Sequence, residues 1–202
     1  FTPRYGPWDE RLCVLPDNDL FESLRSGDAS VVTSEIESFT RDGLRLTSGE
    51  ELKADIVVSA TGFNLRAFGD IAVSVDGKPC APNERMIYKG VLVEGIPNLA
   101  AIFGYINFTW TTKVDLASAW LCRLFELLDE RGADVAVARD DGKHAVDDSI
   151  MNQLQSGYVR RGGDALPRQG SEAPWRVTHD YFSDRRMLLD DPVDDGVLQI
   201  GA

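Results

Sequence analysis

The segment LKADIVVSATGFN, residues 52–64, combines a strand pattern with a glycine turn. Residues 56–58 are Ile-Val-Val, an uninterrupted β-branched run that is typical of a strand covered on both faces. The pattern predicts a strand over 52–60 that ends on Thr61 and Gly62. In an open sheet, ligands dock at the carboxyl ends of strands. Gly62 has no side chain, so its backbone could lie against a large ligand. The alternative is an ordinary strand-to-loop turn.

The composition bounds the class of protein. The chain has 202 residues, 43% of them hydrophobic, and a net charge of −12, which fits one domain or two small ones. With no basic segment, we expect no nucleic-acid partner. Without an apolar run near the ~18 residues of a membrane span, we expect no membrane partner either. The chain begins FTPR, without Met, and we expect it to be an excised fragment.

Cysteine and histidine usage argues against several kinds of site. Cys13, Cys80 and Cys122 are odd in number and form no C-x-x-C pair, which favours a reducing, cytoplasmic setting and no disulfide framework. His144 and His179 have no second ligand at metal spacing, so no metal site is expected. No serine lies in G-x-S-x-G, which gives a hydrolase triad little support.

Strands and hairpins fill the first half of the chain, and helices dominate the last third, which indicates an α/β fold. Asp42-Gly43 and Asp76-Gly77 are hairpin turn signals. The predicted helices are 17–27, 112–131, 147–161 and 176–189, and the predicted strands are 30–34, 36–40, 44–47, 52–60 and 99–105. Residues 71–75 and 85–93, with the Asp76-Gly77 turn, are predicted to form a further hairpin or meander.

The helix over 112–131 follows the loop GYINFTWTTKVD, residues 104–115. Thr109 or Thr111 could cap it. The unpaired N–H groups of its first turn suit a phosphate or another anion. The alternative is an ordinary capped helix with Trp110 in the core. Its apolar positions form one predicted buried stripe: Val114, Ala117, Leu121, Leu124, Phe125 and Leu128.

Two further features bear on function. Arg11, in PWDERLC, could be a catalytic cation; the alternative is a surface arginine paired with Asp9 or Glu10. No two of the 18 glycines lie at G-x-G spacing, so the chain has neither a dinucleotide fingerprint nor a P-loop.

Taken together, DIVVSATGF and GYINFTWTTKVDLASAWLCRL resemble the class B flavoprotein monooxygenases. This group comprises the flavin-containing and the Baeyer–Villiger monooxygenases. The segments PWDERLCVLPDNDLFESLRSG and SGYVRRGGDALPRQGSEAPWRVTHDYFSDRRMLL look like the Baeyer–Villiger-like branch. The resemblance covers nearly the whole chain and maps to the C-terminal portion of such proteins.

The resemblance implies a partial fold of two dinucleotide-binding (Rossmann) domains. Residues 1–66 would be the C-terminal remainder of the NADPH-binding domain, ending in the ATG linker. Residues 67–202 would be the C-terminal part of the FAD-binding domain. The implied cofactor-binding residues are Ala60, Thr61, Gly62, Phe63, Asn107, Thr109, Trp110 and Thr111.

The implied chemistry is oxygen transfer. NADPH reduces FAD, and the reduced flavin and O₂ form a flavin peroxide that delivers one oxygen atom to a small organic substrate, either a ketone or a soft nitrogen or sulfur atom. By resemblance, Arg11 would stabilise the peroxide anion.

The chain lacks both G-x-G-x-x-G turns and the F-x-G-x-x-x-H-x-x-x-W segment of that family. We therefore expect it to be inactive on its own and to self-associate as a dimer. Two alternatives stay open: another two-dinucleotide oxidoreductase of the disulfide-reductase type, and a non-catalytic scaffold or interaction domain.

Overall fold

The computed structural model describes residues 5–6, 9–11, 13 and 15–201. Pro7, Trp8 and Leu12 of the PWDERLC segment lie outside the described residues. The chain forms two compact units, which divide after Gly62; residues 9–11 group with the second unit. The boundary predicted at residue 66 lies just beyond this point, and the identity of the two domains stays a prediction.

The first unit contains one short helix and a three-stranded antiparallel meander in the order β1-β2-β3. Its elements are α1 (Asp19–Ser26), β1 (Ile36–Thr40), β2 (Gly43–Leu46) and β3 (Glu51–Lys53), with a 3-10 turn over Pro16–Asn18 before α1. Gly27 ends α1 in the left-handed conformation, with φ of 86°, as a C-terminal glycine does. A β-carbon at Gly43 would lie 1.9 Å from the carbonyl oxygen of Leu52, so glycine is required where β2 approaches β3.

These elements confirm the helix predicted at 17–27 and the strands at 36–40 and 44–47. The strand predicted at 30–34 is wrong, because this segment has no regular structure and is exposed. The strand predicted over 52–60 is also wrong as drawn: β3 ends at Lys53. Ile56 and Val58 are 82% and 83% exposed. A β-branched run favours a strand only where neighbouring strands cover it, and none pairs with it among the described residues.

The second unit combines four two-stranded antiparallel sheets with three helices. The sheets pair β4 with β5, β6 with β7, β9 with β10 and β8 with β11. The elements are β4 (Val73–Val75), β5 (Lys78–Cys80), β6 (Ile87–Tyr88), β7 (Leu92–Val93), α2 (Trp110–Arg131), β8 (Val135–Ala138), β9 (Ala145–Ser149), α3 (Gly157–Gly162), β10 (Arg168–Gly170), α4 (Tyr181–Arg185) and β11 (Leu198–Gly201). Single 3-10 turns cover Ala67–Asp70, Pro82–Glu84 and Gly163–Ala165, and a π-helical turn over Arg186–Asp190 follows α4.

The core of the second unit forms around α2. Trp120 of α2, Tyr88 of β6 and Trp175 are almost fully buried, and the Tyr88 ring meets both indoles edge to face at 6.1 and 5.4 Å. Aromatic pairs of this geometry add to the stability that burial supplies. The helix itself is confirmed, but its predicted stripe is partly wrong, because Val114 and Phe125 are exposed. The buried face contains Lys113, Leu116, Ala117, Trp120, Leu124 and Leu128.

Four other predictions need correction. The hairpin predicted from residues 71–75 and 85–93 is wrong as drawn, because β4 pairs with β5 and residues 85–93 contain the separate hairpin of β6 and β7. Residues 99–105 form no strand, although their main chain bonds to β7 and its turn through Val93 N to Leu99 O and Ala101 N to Val91 O. Residues 147–161, predicted as one helix, contain the end of β9 and most of the short α3. The helix predicted over 176–189 is reduced to α4 and its π-helical turn. Within residues 147–161, β9 pairs with β10 in an antiparallel sheet, which a helix would not allow.

The two units mix helices with small antiparallel sheets, which is compatible with the predicted α/β class. Asp76 and Gly77 form the predicted hairpin turn, with φ of 50° and 74°, the backbone that a tight hairpin requires. No helix in the described part of the chain is long and apolar enough to cross a membrane.

Candidate active site at the start of α2

The first turn of α2 has backbone N–H groups without a side-chain cap. Thr109 is in the cap position, but its side chain accepts no hydrogen bond from the helix. Its Oγ1 lies 2.5 Å from Oγ1 of Thr112. Thr111 is the second residue of the helix, so Thr109 alone of the two candidates is in the cap position. The uncapped first turn presents donors and the positive end of the helix dipole.

Trp110, the first residue of α2, is not a core residue. Its side chain is 47% exposed, which excludes the alternative that placed it in the core. The indole packs on the backbone of Gly104, where a β-carbon would lie 2.1 Å from Trp110 Cγ. Glycine is therefore needed at position 104 for the ring to lie there.

Arg11 belongs to the same cluster. Its Nη1 donates to the carbonyl of Tyr105 at 2.9 Å, and its Nη2 donates to the carbonyl of Phe108 at 3.3 Å. The guanidinium carbon lies 5.9 Å from the centre of the Trp110 ring, within range of a cation–π interaction. These contacts hold the charged group beside the loop that precedes α2. Asn107, in the same loop, is exposed.

The other predicted cofactor-binding residues lie elsewhere. Ala60, Thr61 and Gly62 end the first unit as exposed chain without regular structure, and Gly62 has φ of 101°. Phe63 begins the second unit; its ring lies 4.6 Å from that of Tyr158 in α3. Among the predicted residues, the structure thus brings together Arg11, Trp110 and the loop from Tyr105 to Thr109.

Sequence reasoning missed a buried polar cluster behind this loop. Lys113 and Asp184 are 3% and 1% exposed, and their charged atoms, Nζ and Oδ2, lie 2.8 Å apart. Tyr105 and His179 are also buried. The four side chains help line a cavity of about 10 Å³. One signal was available: Lys113 lies seven residues before Trp120, on the same face of α2.

The environment shifts the protonation of these groups. Burial lowers the pKa of Lys113, and attraction to Asp184 opposes that shift. Burial raises the pKa of the Tyr105 hydroxyl, and the Asp184 carboxylate raises it further. Burial lowers the pKa of His179, whose Nε2 is 2.8 Å from the carbonyl oxygen of Ile150. Clusters of this kind mark functional sites or structural ion pairs.

The mixed helices and small antiparallel sheets are compatible with the predicted α/β class. The predicted family resemblance is tested by comparison with known proteins. No family model matches the chain. Over 96–100% of its length the chain is similar to curated proteins named as FAD-binding or FAD-containing monooxygenases, which confirms the predicted resemblance.

Three relatives represent this similarity. The FAD-containing monooxygenase MymA of Mycobacterium tuberculosis is 52% identical over 202 residues, all of this chain and 41% of the relative. The FAD-binding monooxygenase AlmA of an Acinetobacter species is 49% identical over 199 residues, or 98% and 40% of the two chains. The FAD-containing monooxygenase EthA of Mycolicibacterium smegmatis is 47% identical over 195 residues, or 96% and 39%. The chain thus spans about two fifths of the length of these relatives.

Proposed function

We propose that this chain is part of an FAD- and NADPH-dependent monooxygenase that inserts one oxygen atom from O₂ into a small organic substrate. The observation that carries the proposal is the similarity, near 50% identity along the whole chain, to monooxygenases named for FAD. The cluster of Arg11 and Trp110 at the uncapped start of α2 supports it independently of the names. A ketone substrate, as in Baeyer–Villiger oxidation, is the variant favoured by the resemblance; a soft nitrogen or sulfur atom is the other.

The residues present fit one side of FAD. The uncapped N–H groups of α2 and the guanidinium of Arg11 suit the electron-rich, oxygen-bearing edge of a flavin ring. The chain does not supply a binding turn for the phosphates of FAD, because it has no G-x-G sequence. We therefore propose that the phosphate-binding turns belong to a part of the protein outside this chain, and that the isolated chain binds FAD weakly or not at all.

FAD, when bound, would supply the activation of O₂ and NADPH the reducing equivalents. The residues of this chain would orient the cofactor and the substrate, and they would stabilise developing negative charge. Arg11 would hold a fixed positive charge toward developing negative charge, since its guanidinium is anchored by two carbonyl groups. The half-exposed indole of Trp110 and the amide of Asn107 would shape the substrate side. Thr109 and Thr111 would contact the cofactor through the main chain of the helix start.

The proposal also includes the domain assignment, the location and the self-association predicted from the sequence. Residues 1–66 would end an NADPH-binding domain whose linker, from Ala60 to Phe63, passes near the cofactors. Residues 67–202 would belong to an FAD-binding domain. A cytoplasmic location is proposed from the cysteine usage, and self-association of the isolated chain from its exposed apolar side chains.

The experiment is to purify this chain and the complete reading frame that contains it, and to record the visible spectrum of each. We expect a yellow longer protein and a colourless isolated chain. With candidate ketones and sulfides, the longer protein should couple NADPH oxidation to substrate oxygenation. The Arg11→Ala variant should keep its flavin and lose oxygenation by on the order of a hundredfold. A longer protein that stays colourless after incubation with FAD would favour the non-catalytic scaffold.

A further inference from the structure

The buried cluster behind the loop has incompletely paired polar atoms. Lys113 Nζ and Asp184 Oδ2 form a buried ion pair at 2.8 Å. Apart from this ion pair, neither atom has a further hydrogen-bond partner among the described residues, and the Tyr105 hydroxyl is buried beside them. All three residues help line a cavity of about 10 Å³.

The ammonium group of Lys113 is surrounded on several sides by other residues. Its Nζ lies 5.6 Å from the centre of the Tyr105 ring. On another side it faces Gly90, where a β-carbon would be 3.2 Å from Nζ. Asp184 comes from α4 and is anchored in turn by Thr178, whose Oγ1 donates to Oδ1 at 3.3 Å. The ammonium is thus fixed between a glycine backbone, a carboxylate and an aromatic ring.

Tyr105 connects this cluster to Arg11. Its ring packs against Lys113, while its main-chain carbonyl accepts the 2.9 Å hydrogen bond from Arg11. Trp110, the ring beneath the Arg11 guanidinium, lies one turn before Lys113 on the same helix. Two of the groups that contact Arg11 are therefore neighbours of Lys113, one through its ring and the other along the helix.

We propose that Lys113 and Asp184 are positioning residues that hold the loop at Tyr105, and through it the guanidinium of Arg11, in the geometry required for oxygen transfer. This inference rests on the proposed role of Arg11. It goes beyond that role in assigning a positioning function to two buried charged residues, Lys113 and Asp184. A displacement of about 1 Å of a catalytic group is enough for a large loss of rate.

The test uses the longer, flavin-loaded protein with Lys113→Met and the double variant Lys113→Met/Asp184→Asn. The double variant leaves no unpaired buried charge, so it keeps the test possible if the single variant fails to fold. Lys143→Met is the matched control, because Lys143 is an exposed lysine whose Nζ lies 3.6 Å from Asp141 Oδ2. Thermal unfolding and flavin content establish that each variant is folded.

We expect the cluster variants to lower kcat at least about tenfold with KM changed less than about twofold, and the Lys143 variant to change neither. In an Arg11→Ala background the same substitutions should have no further effect on kcat, since the group they position is gone. An equal loss in both backgrounds, or a kcat like that of the Lys143 variant, would overturn the proposal.

A structural measurement separates this inference from the proposed function. In a crystal structure of the Lys113→Met variant, the distance from Arg11 Nη1 to the Tyr105 carbonyl should exceed hydrogen-bond range. If no variant or wild type shows oxygenation, the proposed function fails while this distance still tests the positioning. An unchanged 2.9 Å hydrogen bond would refute the positioning whatever the activity.

Discussion

The indole of Trp110 lies so close to Gly104 that a β-carbon at position 104 would be 2.1 Å from Cγ of the ring. No side chain tolerates such an overlap, so the Gly104→Ala substitution must move the indole. Because Trp110 is half exposed, it can turn toward solvent, and we expect the free energy of unfolding to fall by only about 1 kcal/mol. Urea unfolding and tryptophan fluorescence measure the two effects.

The matched control is Gly163→Ala. A β-carbon at Gly163 would meet nothing within 4 Å, and its φ of −58° suits alanine. This variant should be as stable as the wild type or slightly more stable. Equal behaviour of the two variants would show that the contact between Gly104 and Trp110 does not constrain the loop.

A second prediction concerns Asn98, whose side chain pairs with the start of β8. Its Oδ1 accepts from Ala136 N at 2.9 Å, and its Nδ2 donates to the carbonyl of Asp134 at 2.9 Å. Its φ is 57°, a conformation that asparagine tolerates better than alanine. We expect Asn98→Ala to lower the free energy of unfolding by about 2–3 kcal/mol, from two lost hydrogen bonds and the strained backbone.

Asn98→Gly separates the two contributions, because glycine adopts positive φ freely but makes neither hydrogen bond. Its stability in chemical denaturation should lie between those of the wild type and Asn98→Ala. A glycine variant no more stable than the alanine variant would mean that the backbone conformation contributes nothing.

Local signals made part of this structure predictable. The C-terminal glycine of α1, the Asp76-Gly77 turn and the long apolar pattern of α2 depend on residues near one another in the chain, and all three are observed. The buried face of α2 could not be predicted from spacing alone, because residues on two adjacent faces of the helix, offset by one position, recur with the same helical period. The larger side chain, Trp120, marks the buried one.

The remaining errors have one physical origin, dependence on distant partners. The run at 56–58 has the composition of a central strand, but a strand needs neighbours, and composition does not provide them. The ion pair of Lys113 with Asp184 joins two helices far apart in sequence, so no spacing rule finds it. Arg11 was predicted as a functional cation, whereas its two carbonyl partners could be found only from the structure.

A third prediction concerns self-association through the first unit. Phe39, Ile56 and Val58 are between 74% and 83% exposed, and exposed apolar side chains favour association. We expect sedimentation equilibrium of the isolated chain to show a dimer, and Val58→Asp to weaken it at least about tenfold, the effect of ~1.4 kcal/mol. Phe182→Asp, an equally exposed substitution in the second unit at 77%, should leave the dimer unchanged. A monodisperse monomer would contradict the prediction.

The last prediction concerns acid stability and His179. Its Nε2–H donates to the carbonyl of Ile150 at 2.8 Å. Burial is the main cause that lowers the pKa of His179, and the positive charges of Lys113 and Arg176 lower it further. The hydrogen bond to Ile150 and the charge of Asp184 raise it, without reversing the shift. The folded protein therefore keeps this imidazole neutral at a pH where the unfolded chain, with a pKa near 6.5, binds a proton.

Because the unfolded state binds the extra proton, the free energy of unfolding must decrease as pH falls below about 6.5, by at most about 1.4 kcal/mol per pH unit. His179→Gln keeps an amide donor without a titrating group, so the decrease in its free energy of unfolding between pH 7 and 5 should be smaller.

Carboxylates with a lowered pKa, such as Asp140 and Asp194, lose their charge only below about pH 4, so they do not contribute to the change measured between pH 7 and 5. His144→Gln, the control that removes the other histidine, should retain the decrease assigned to His179. If His179→Gln declines as steeply as the wild type in urea unfolding across this range, the neutral buried imidazole is not a source of acid sensitivity.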